Sequence, residues 1–404
     1  MKILIGLGTR PEAIKLTPLI FKLRSHFDVR IASTGQHDGL LMQVLKFFNV
    51  GLDYNLECMT ESPNLEKLSI NILSSMGSVL NDENPDIIIV QGDTLTVYQT
   101  AYLSFLRKIP IFHVEAGLRT HNKYSPFPEE FFRTAVGKLA DFHFAPTLKA
   151  KTNLLADGIR EDRILVTGNT VIDSQIIAER LIDENKIQNK LRNDGFPLAK
   201  LNGGRKNVLI TVHRRENCGQ HINNICSAIK YLASKCKDVN FIWLLHENPE
   251  IKGCIFNAFR EVPPNVIFAP PVSYDSLLYF MKDCYLIMTD SGGIQEESPT
   301  FGKPVIVLRE TTERTEIISN GNGLIVGNGI VKQNIIDLFL KIYNNGKYYK
   351  SFSEKSNPFG DGKAADRILQ FMLMDEVKSF VKEYPDSANR ILQFKGVEEY
   401  HNSH

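Results

Sequence analysis

Short apolar runs alternate along the chain with segments of helical periodicity. Lys2–Leu7 (KILIGL) predicts a buried strand and Glu12–Ser25 the helix that follows it. Val29–Ser33, Asp86–Gln91 (DIIIVQ) and Ile109–Val114 (IPIFHV) predict three more strands. Strands covered on both faces show no polar alternation, so the pattern predicts a parallel sheet with helical crossovers. It restarts after residue 175, where Asn207–Val212, Val239–Leu245, Val266–Ala269, Leu286–Thr289 and Val305–Leu308 predict a second sheet. Asp194–Arg205 (DGFPLAKLNGGR), rich in glycine and with a proline, is the expected linker zone. Two doubly wound α/β domains facing each other place a cleft at the carboxyl ends of both sheets, where ligands bind such folds.

Composition narrows the class. The 404 residues are 43% apolar and 23% charged, enough for two cores and too ordered a mix for disorder. A net charge of +1 gives no broad attraction to nucleic acid. The six cysteines form no C-x-x-C pair and have no metal-ligand spacing with histidine, as expected of reduced thiols in a cytoplasmic protein. No signal-peptide pattern precedes the first strand, and no apolar stretch reaches the roughly eighteen residues a membrane span needs.

Candidate chemistry sits where strands end. The first strand runs into Gly6-Leu7-Gly8-Thr9-Arg10-Pro11-Glu12. A dinucleotide fingerprint fails there, because Pro11 holds the third glycine position and the second strand ends in Ser33-Thr34-Gly35 without an acid. An ordinary strand-to-helix turn is one alternative. A diphosphate site is the other: Gly8 allows close backbone approach, the helix N-terminus favours an anion, and Arg10 and Lys15 add positive charge. Asp93 follows the DIIIVQ strand and Glu115 the next; Asp93 reads either as a helix cap or as a cleft carboxylate. Pro126 and Pro128 bracket a stiff loop before Glu129-Glu130, one of which suits a helix dipole. Three acids, Asp93, Glu115 and Glu129, converging on one cleft would raise one another's pKa toward neutrality. In the second half, His213-Arg214-Arg215 and His246 end strands, His213 being either a phosphate group's partner or a satisfied core histidine. Ser291-Gly292-Gly293 makes a tight turn suited to phosphate, and Glu297, one helical turn further on, suits ribose hydroxyls. That turn fits nucleotide-sugar enzymes of the two-Rossmann, glycosyltransferase-B type.

Taken in order, GTRPEAIK, GDT, HVEAGLRT, SPFPEE, TGNTVID (Thr167–Asp173), HRREN, TDSGGIQEE, TTER (Thr311–Arg314) and NPFGDGKA (Asn357–Ala364) resemble the non-hydrolysing UDP-N-acetylglucosamine 2-epimerase family over about residues 1 to 375. The hydrolysing relatives open on a different, G-S-R-A-D-like segment. The resemblance implies Rossmann-like domains at about 1–175 and 176–360, a helix at about 361–375 crossing back to the first domain, and an extra tail at 376–404. It implies a reversible, homodimeric, cytoplasmic enzyme with no metal and no redox cofactor, acting on a UDP-sugar to supply surface polysaccharide. UDP leaves by anti elimination to give 2-acetamidoglucal, then adds back. Asp93, Glu115, Glu129 and His213 are the implied catalytic residues. Arg10, Lys15, Arg133, Asn169, Arg214, His246, Ser291, Gly292, Gly293, Glu297 and Arg314 are the implied substrate ligands.

The chain departs from the family pattern at several positions. Phe132 stands where an asparagine near the sugar is usual, which leaves a related 6-deoxy or uronic acid UDP-sugar open as substrate. Members activated by a second substrate molecule carry a Gln-His pair, matched by Gln36-His37, and a later Arg-Gln pair, which here is Pro63-Asn64. Thr315 replaces a usual proline. A glycosyltransferase of the same fold and a non-catalytic nucleotide-sugar sensor are the competing classes. The acids at 93, 115 and 129 argue against the first, and the intact acids and His213 against the second.

Overall fold

The computed structural model of the protein describes residues 1–35, 38–59, 64–201, 204–214, 217, 219–246, 249–392 and 399–401. The chain divides into two compact units, Met1–Ile177 with Phe359–His404, and Ala178–Pro358. In the first, strands β1 (Lys2–Leu7), β2 (Asp28–Ser33), β3 (Tyr54–Asn55), β4 (Ile87–Gln91), β5 (Ile111–Val114), β6 (Phe142–Ala145) and β7 (Ile164–Val166) form one sheet. Its order is β3-β2-β1-β4-β5-β6-β7, and all its pairings are parallel. Helices α1 (Arg10–Arg24), α2 (Asp38–Phe47), α3 (Leu65–Glu83), α4 (Leu95–Leu106), α5 (Glu129–Leu139), α6 (Leu148–Ala156) and α7 (Thr170–Leu181) follow the strands.

The second unit holds strands β8 (Lys206–Val212), β9 (Val239–Leu245), β10 (Val266–Ala269), β11 (Leu286–Thr289), β12 (Val305–Val307) and β13 (Gly323–Ile325). They lie parallel in the order β10-β9-β8-β11-β12-β13. Its helices include α8 (Glu184–Asn193), α9 (Leu198–Leu201), α10 (Gln220–Lys235), α11 (Pro249–Ala258), α12 (Tyr274–Asp283) and α13 (Gly292–Glu297). The fold class is the expected α/β one. Each sheet reverses its direction of growth once, between β1 and β4 and between β8 and β11. In doubly wound folds, crevices for ligands open at such switch points.

The strand sequences explain themselves. Every side chain of β4 (IIIVQ) and of β9 (VNFIWLL) is buried, as both faces of a helix-covered parallel sheet demand. The structure adds β3, β6, β7 and β13, which the pattern does not announce. They are two to four residues long, too short for a period to declare itself, and β6 (FHFA) carries His143 in its middle. Burial depresses the pKa of His143 to about 3, so it sits there as a neutral ring.

Asp194–Arg205 is not a linker. Gly195 takes a left-handed φ of +76° where α8 ends, and Phe196, Leu198 and Leu201 are buried within the second unit. The glycine and proline end a helix there rather than separate domains. The chain leaves the first unit within α7 instead.

After Pro358 the chain rejoins the first unit. Helix α14 (Ala364–Leu373) packs on α1, and the backbone N–H groups of Ala364 and Ala365 at its start donate to the Asp173 carboxylate at 3.2 and 2.9 Å. Burial raises Asp173 to about 6. Arg367 donates to the Thr167 carbonyl, and Asn169 N to the Phe359 carbonyl. The TGNTVID and NPFGDGKA motifs are thus two sides of one joint. Helix α15 (Asp375–Lys382) follows, with Val377 and Phe380 fully buried.

Gly117 shows how tightly the β5 end is packed. Its φ is +95°, and a Cβ there would lie 2.3 Å from the Ala150 carbonyl oxygen of α6. Gly117→Ala is expected to destabilise the fold by roughly 3 kcal/mol, through strain and overlap together. Urea unfolding followed by circular dichroism measures it; a change under about 0.5 kcal/mol contradicts the packing account.

Candidate active site

The β1–α1 turn is built by a capping box. Thr9 is the extended N-cap of α1, Pro11 sits in the first turn, and the Glu12 carboxylate takes the N–H groups of Gly8 and Thr9 at 2.6 and 2.7 Å. Glu12 also accepts from the hydroxyl of Thr94, the N-cap of α4. Burial raises its pKa to about 7 against the pull of those hydrogen bonds. Glu12 therefore ties the turn after β1 to the turn after β4, across the switch point. The Thr9-x-x-Glu12 spacing of a capping box is the sequence signal for it. Gly8 is also packed tightly by protein. A Cβ on it would lie 2.2 and 2.6 Å from the Thr96 and Thr34 hydroxyls, so protein packing alone requires the glycine.

Asp93 and Glu115 follow adjacent, paired strands, with Gln91 opposite Val114. Thr94, not Asp93, caps α4. Arg133 of α5 holds Asp93 Oδ2 through Nε at 3.0 Å and through Nη2, and also pairs with Glu130 at 3.2 Å. The Asp93 side chain keeps 26% of its surface exposed. Glu115 is buried. Its Oε2 is ion-paired with Lys15, accepts from Gln91 Nε2 at 2.9 Å, and lies 3.5 Å from Asn169 Nδ2. Glu115 itself has φ +61°, a left-handed conformation that side-chain-bearing residues adopt rarely and at a cost.

Asp93 and Glu115 each face a cation. Lys15 is corrected as a charge at the helix N-terminus: it lies one turn in, buried and directed at Glu115. Arg10 is the first residue of α1 and only half-buried. Glu129 opens α5 and is half-buried, whereas Glu130 is buried and accepts from Thr120 N and His121 N, both at 2.9 Å. Glu130 is therefore the structural member of the pair. Phe132 is a core residue. It is stacked on Tyr98 at 5.3 Å in the core under α4 and α5, which removes the reason to expect an altered sugar site.

The second unit has its own cluster at its switch point. His213 after β8 and Asp290 after β11 are joined at 2.8 Å through His213 Nδ1. Asp290 is completely buried and also accepts from the backbone N–H groups of His213 and Arg214 and from Asn217 Nδ2 at 2.7 Å. Burial pushes its pKa up, but attraction to the His213 ring and these hydrogen bonds outweigh that and hold it at about 2. A carboxylate on Nδ1 fixes the ring's orientation and turns Nε2 outward. His213 is thus a half-exposed, oriented ring rather than a core histidine, and it stacks on His246 at 5.7 Å. Asp290 belongs to the TDSGG motif, and its place directly after a strand is the signal the sequence offers for it.

Arginines surround this pair. Arg214 donates to the Asp290 carbonyl and reaches Glu313, which also pairs with Arg309 and Arg314. Arg314 is held to Glu296 at 2.9 Å, and its guanidinium lies 2.8 Å from where a Cβ on Gly292 would be. Gly292 is therefore needed for the arginine's approach, while Gly293 faces open space. Ser291 precedes α13, and its N–H goes to the Thr289 hydroxyl. Glu297 is buried and accepts from the Tyr274 hydroxyl at 2.6 Å. The other residues of HRREN at 215 and 216, those after His246 at 247 and 248, and the pair Gln36-His37 with Pro63 lie outside the described residues. Asn64, beside that last position, caps α3. Among the described residues no group of His, Cys, Asp or Glu could hold a metal ion, and no helix is long and apolar enough to cross a membrane.

In the first unit, carboxylates held by buried cations suit acid–base chemistry; in the second, an oriented histidine beside arginines suits an anionic ligand. The family model described as UDP-N-acetylglucosamine 2-epimerase matches residues 21–373. The UDP-N-acetylglucosamine 2-epimerase of Campylobacter jejuni is 40% identical over 375 residues, 92% of this chain and 97% of its own. A crystal structure of the Neisseria meningitidis enzyme bound to UDP-GlcNAc is 40% identical, with a TM-score of 0.86 over 92% of this chain and all of that one. The S. aureus MnaA–UDP structure is 35% identical, with a TM-score of 0.83 over 94% of this chain and 97% of that one. The chain belongs to the UDP-N-acetylglucosamine 2-epimerase family.

The Asp290 carboxylate gives a pH prediction. Its folded pKa, about 2, lies below the ordinary 3.8, so its stabilisation is fully present above pH 4 and is lost as pH falls toward 2. Asp290→Asn is expected to be less stable than the parent by about 2 kcal/mol at pH 5 to 7, the gap closing between pH 4 and 2. Urea midpoints across that range test it; a gap independent of pH contradicts it.

Proposed function

We propose that the protein interconverts UDP-GlcNAc and UDP-ManNAc without hydrolysing them, in the reducing cytoplasm, supplying surface polysaccharide synthesis. The observation that carries the reading is Glu115: a buried carboxylate in a left-handed backbone, held by Lys15, Gln91 and Asn169 at a switch point. A side chain kept in so specific a pose suits proton transfer at one defined atom.

The hydrogen on sugar carbon 2 is not acidic, so its removal must accompany departure of the diphosphate. A carboxylate takes that proton, the C1–O bond breaks, its electrons go to the β-phosphate, and a C1–C2 double bond forms. UDP then adds back to C1 while a proton enters carbon 2 from the opposite face. Asp93, Glu115 and Glu129 are the acid–base set, with Asp93, the more exposed, favoured as base. Arg133 and Lys15 hold two of these carboxylates, and Asn169 orients Glu115. His213 stabilises or protonates the leaving phosphate through Nε2, with Asp290 behind it. Arg10, Arg214, Arg314, Ser291, Gly292, Gly293, Glu297 and His246 hold UDP. An epimerase of another UDP-sugar, or a glycosyltransferase, is not favoured, given relatives at about 40% identity that carry the UDP-GlcNAc 2-epimerase name.

In deuterium oxide, NMR is expected to show UDP-ManNAc deuterated at carbon 2. Unlabelled product or free ManNAc rejects the mechanism. Asp93→Asn and Glu115→Gln are each expected to lower kcat by about a hundredfold or more.

The homodimer is proposed to form through α3, α4 and α5. Helix α4 (LTVYQTAYLSFL) carries no charge, and Ile70, Tyr102, Phe105, Leu106 and Phe131 on these three helices are exposed. An apolar face of this kind suits burial against a second copy. Light scattering is expected to give a dimer, and Phe105→Asp a monomer; a parent protein that is monomeric at micromolar concentration refutes the proposal.

A further inference from the structure

The family model ends at residue 373, yet the chain beyond it is built into the first unit. Phe380 of α15 meets Phe142 of β6 edge-on at 4.9 Å. The Arg163 guanidinium packs against both rings, 4.9 and 4.5 Å from their centroids, and donates to the carbonyls of Ala388 and Arg390 at 2.9 and 2.8 Å. Arg160 reaches the Asn389 and Arg390 carbonyls, and Asp162 accepts from Leu392 N at 2.9 Å. All these anchors lie on β6 or on the turn that feeds β7.

The last anchor is of another kind. β7 is the edge strand of the sheet, and Tyr400 N donates to the carbonyl of its final residue, Val166, at 2.8 Å. The buried Tyr400 ring lies against Gly168, where a Cβ would come 3.6 Å from its Cγ and 3.4 Å from Gly360 Cα. Arg367, which holds the Thr167 carbonyl, sits over the same ring at 5.5 Å. Gly168, at φ +84°, is therefore a turn closed on one side by Gly360 and on the other by Tyr400. Its next residue is Asn169. Val171 N pins Asn169 Oδ1 at 3.0 Å, which leaves Nδ2 toward Glu115.

We propose that Tyr400 is a positioning residue, through which the segment after residue 373 sets the pose of Asn169 and so of the Glu115 carboxylate. The proposal rests on Glu115 acting in the epimerisation described above. Tyr400 acts by narrowing the freedom of the Thr167–Asn169 turn. Small displacements of a reacting group have large effects on rate, so removing the ring acts on turnover more than on binding.

Tyr400→Ala is expected to lower kcat for UDP-GlcNAc epimerisation about tenfold, with KM within about twofold. Tyr400→Phe, which keeps the ring, is expected to restore the rate. Hydrogen exchange read by mass spectrometry is expected to quicken at the amides of residues 167–172 in Tyr400→Ala and to return to the parent rate in Tyr400→Phe. An unchanged kcat in Tyr400→Ala, or a Phe variant as impaired as the Ala one, overturns the proposal. Exchange at 167–172 that stays at the parent rate overturns it too, whatever the activity. Failure of the parent protein to epimerise UDP-GlcNAc overturns the functional reading instead, while the exchange measurement still reports on the coupling of Tyr400 to the Thr167–Asn169 turn.

Discussion

The ion pair between Lys15 and Glu115 is the constraint around which the first unit is arranged. Both groups are out of water, where a charge is tolerated only with a partner and with its remaining hydrogen-bonding capacity used. Satisfying it requires α1 to present Lys15, β4 to present Gln91, β5 to turn through a left-handed residue, and the chain after β7 to present Asn169. Four segments from across the sheet are fixed by one carboxylate. Glu12 adds a second such link between the turns after β1 and β4. The second unit solves the same problem with a different charge: Asp290 is buried completely and made tolerable by a histidine, two backbone N–H groups and an asparagine.

Much of this was legible in the chain. Buried parallel strands of four or more apolar residues declare themselves, and the loops after them carry the acids, the histidine and the Ser-Gly-Gly turn. What the pattern hid has physical reasons. β3 and β7 are too short to show a period, and His143 interrupts β6 because a neutral, buried imidazole passes for a polar break. Gly8 and Gly292 are also held small by the protein itself, by threonines in one case and an arginine in the other.

Charges misled in a related way. Lys15 reads as an anion-binding group until its burial against Glu115 is seen, and Phe132 reads as a sugar-site substitution until its ring is found on Tyr98. The glycine-rich stretch at 194–205 looked like a hinge between domains, but glycine ends helices as readily as it joins domains. In each case the residue type was read correctly and its direction was not. Direction comes from tertiary packing, which a single sequence does not carry.

The Asp173 carboxylate at the start of α14 joins residues almost two hundred positions apart within one unit. That joint bears on biosynthesis. The second unit is one uninterrupted stretch, complete once Pro358 has left the ribosome, whereas the first lacks its closing helices until the final segment emerges. The half that is translated first is therefore finished last, and its exposed sheet flank must wait through the synthesis of nearly the whole chain.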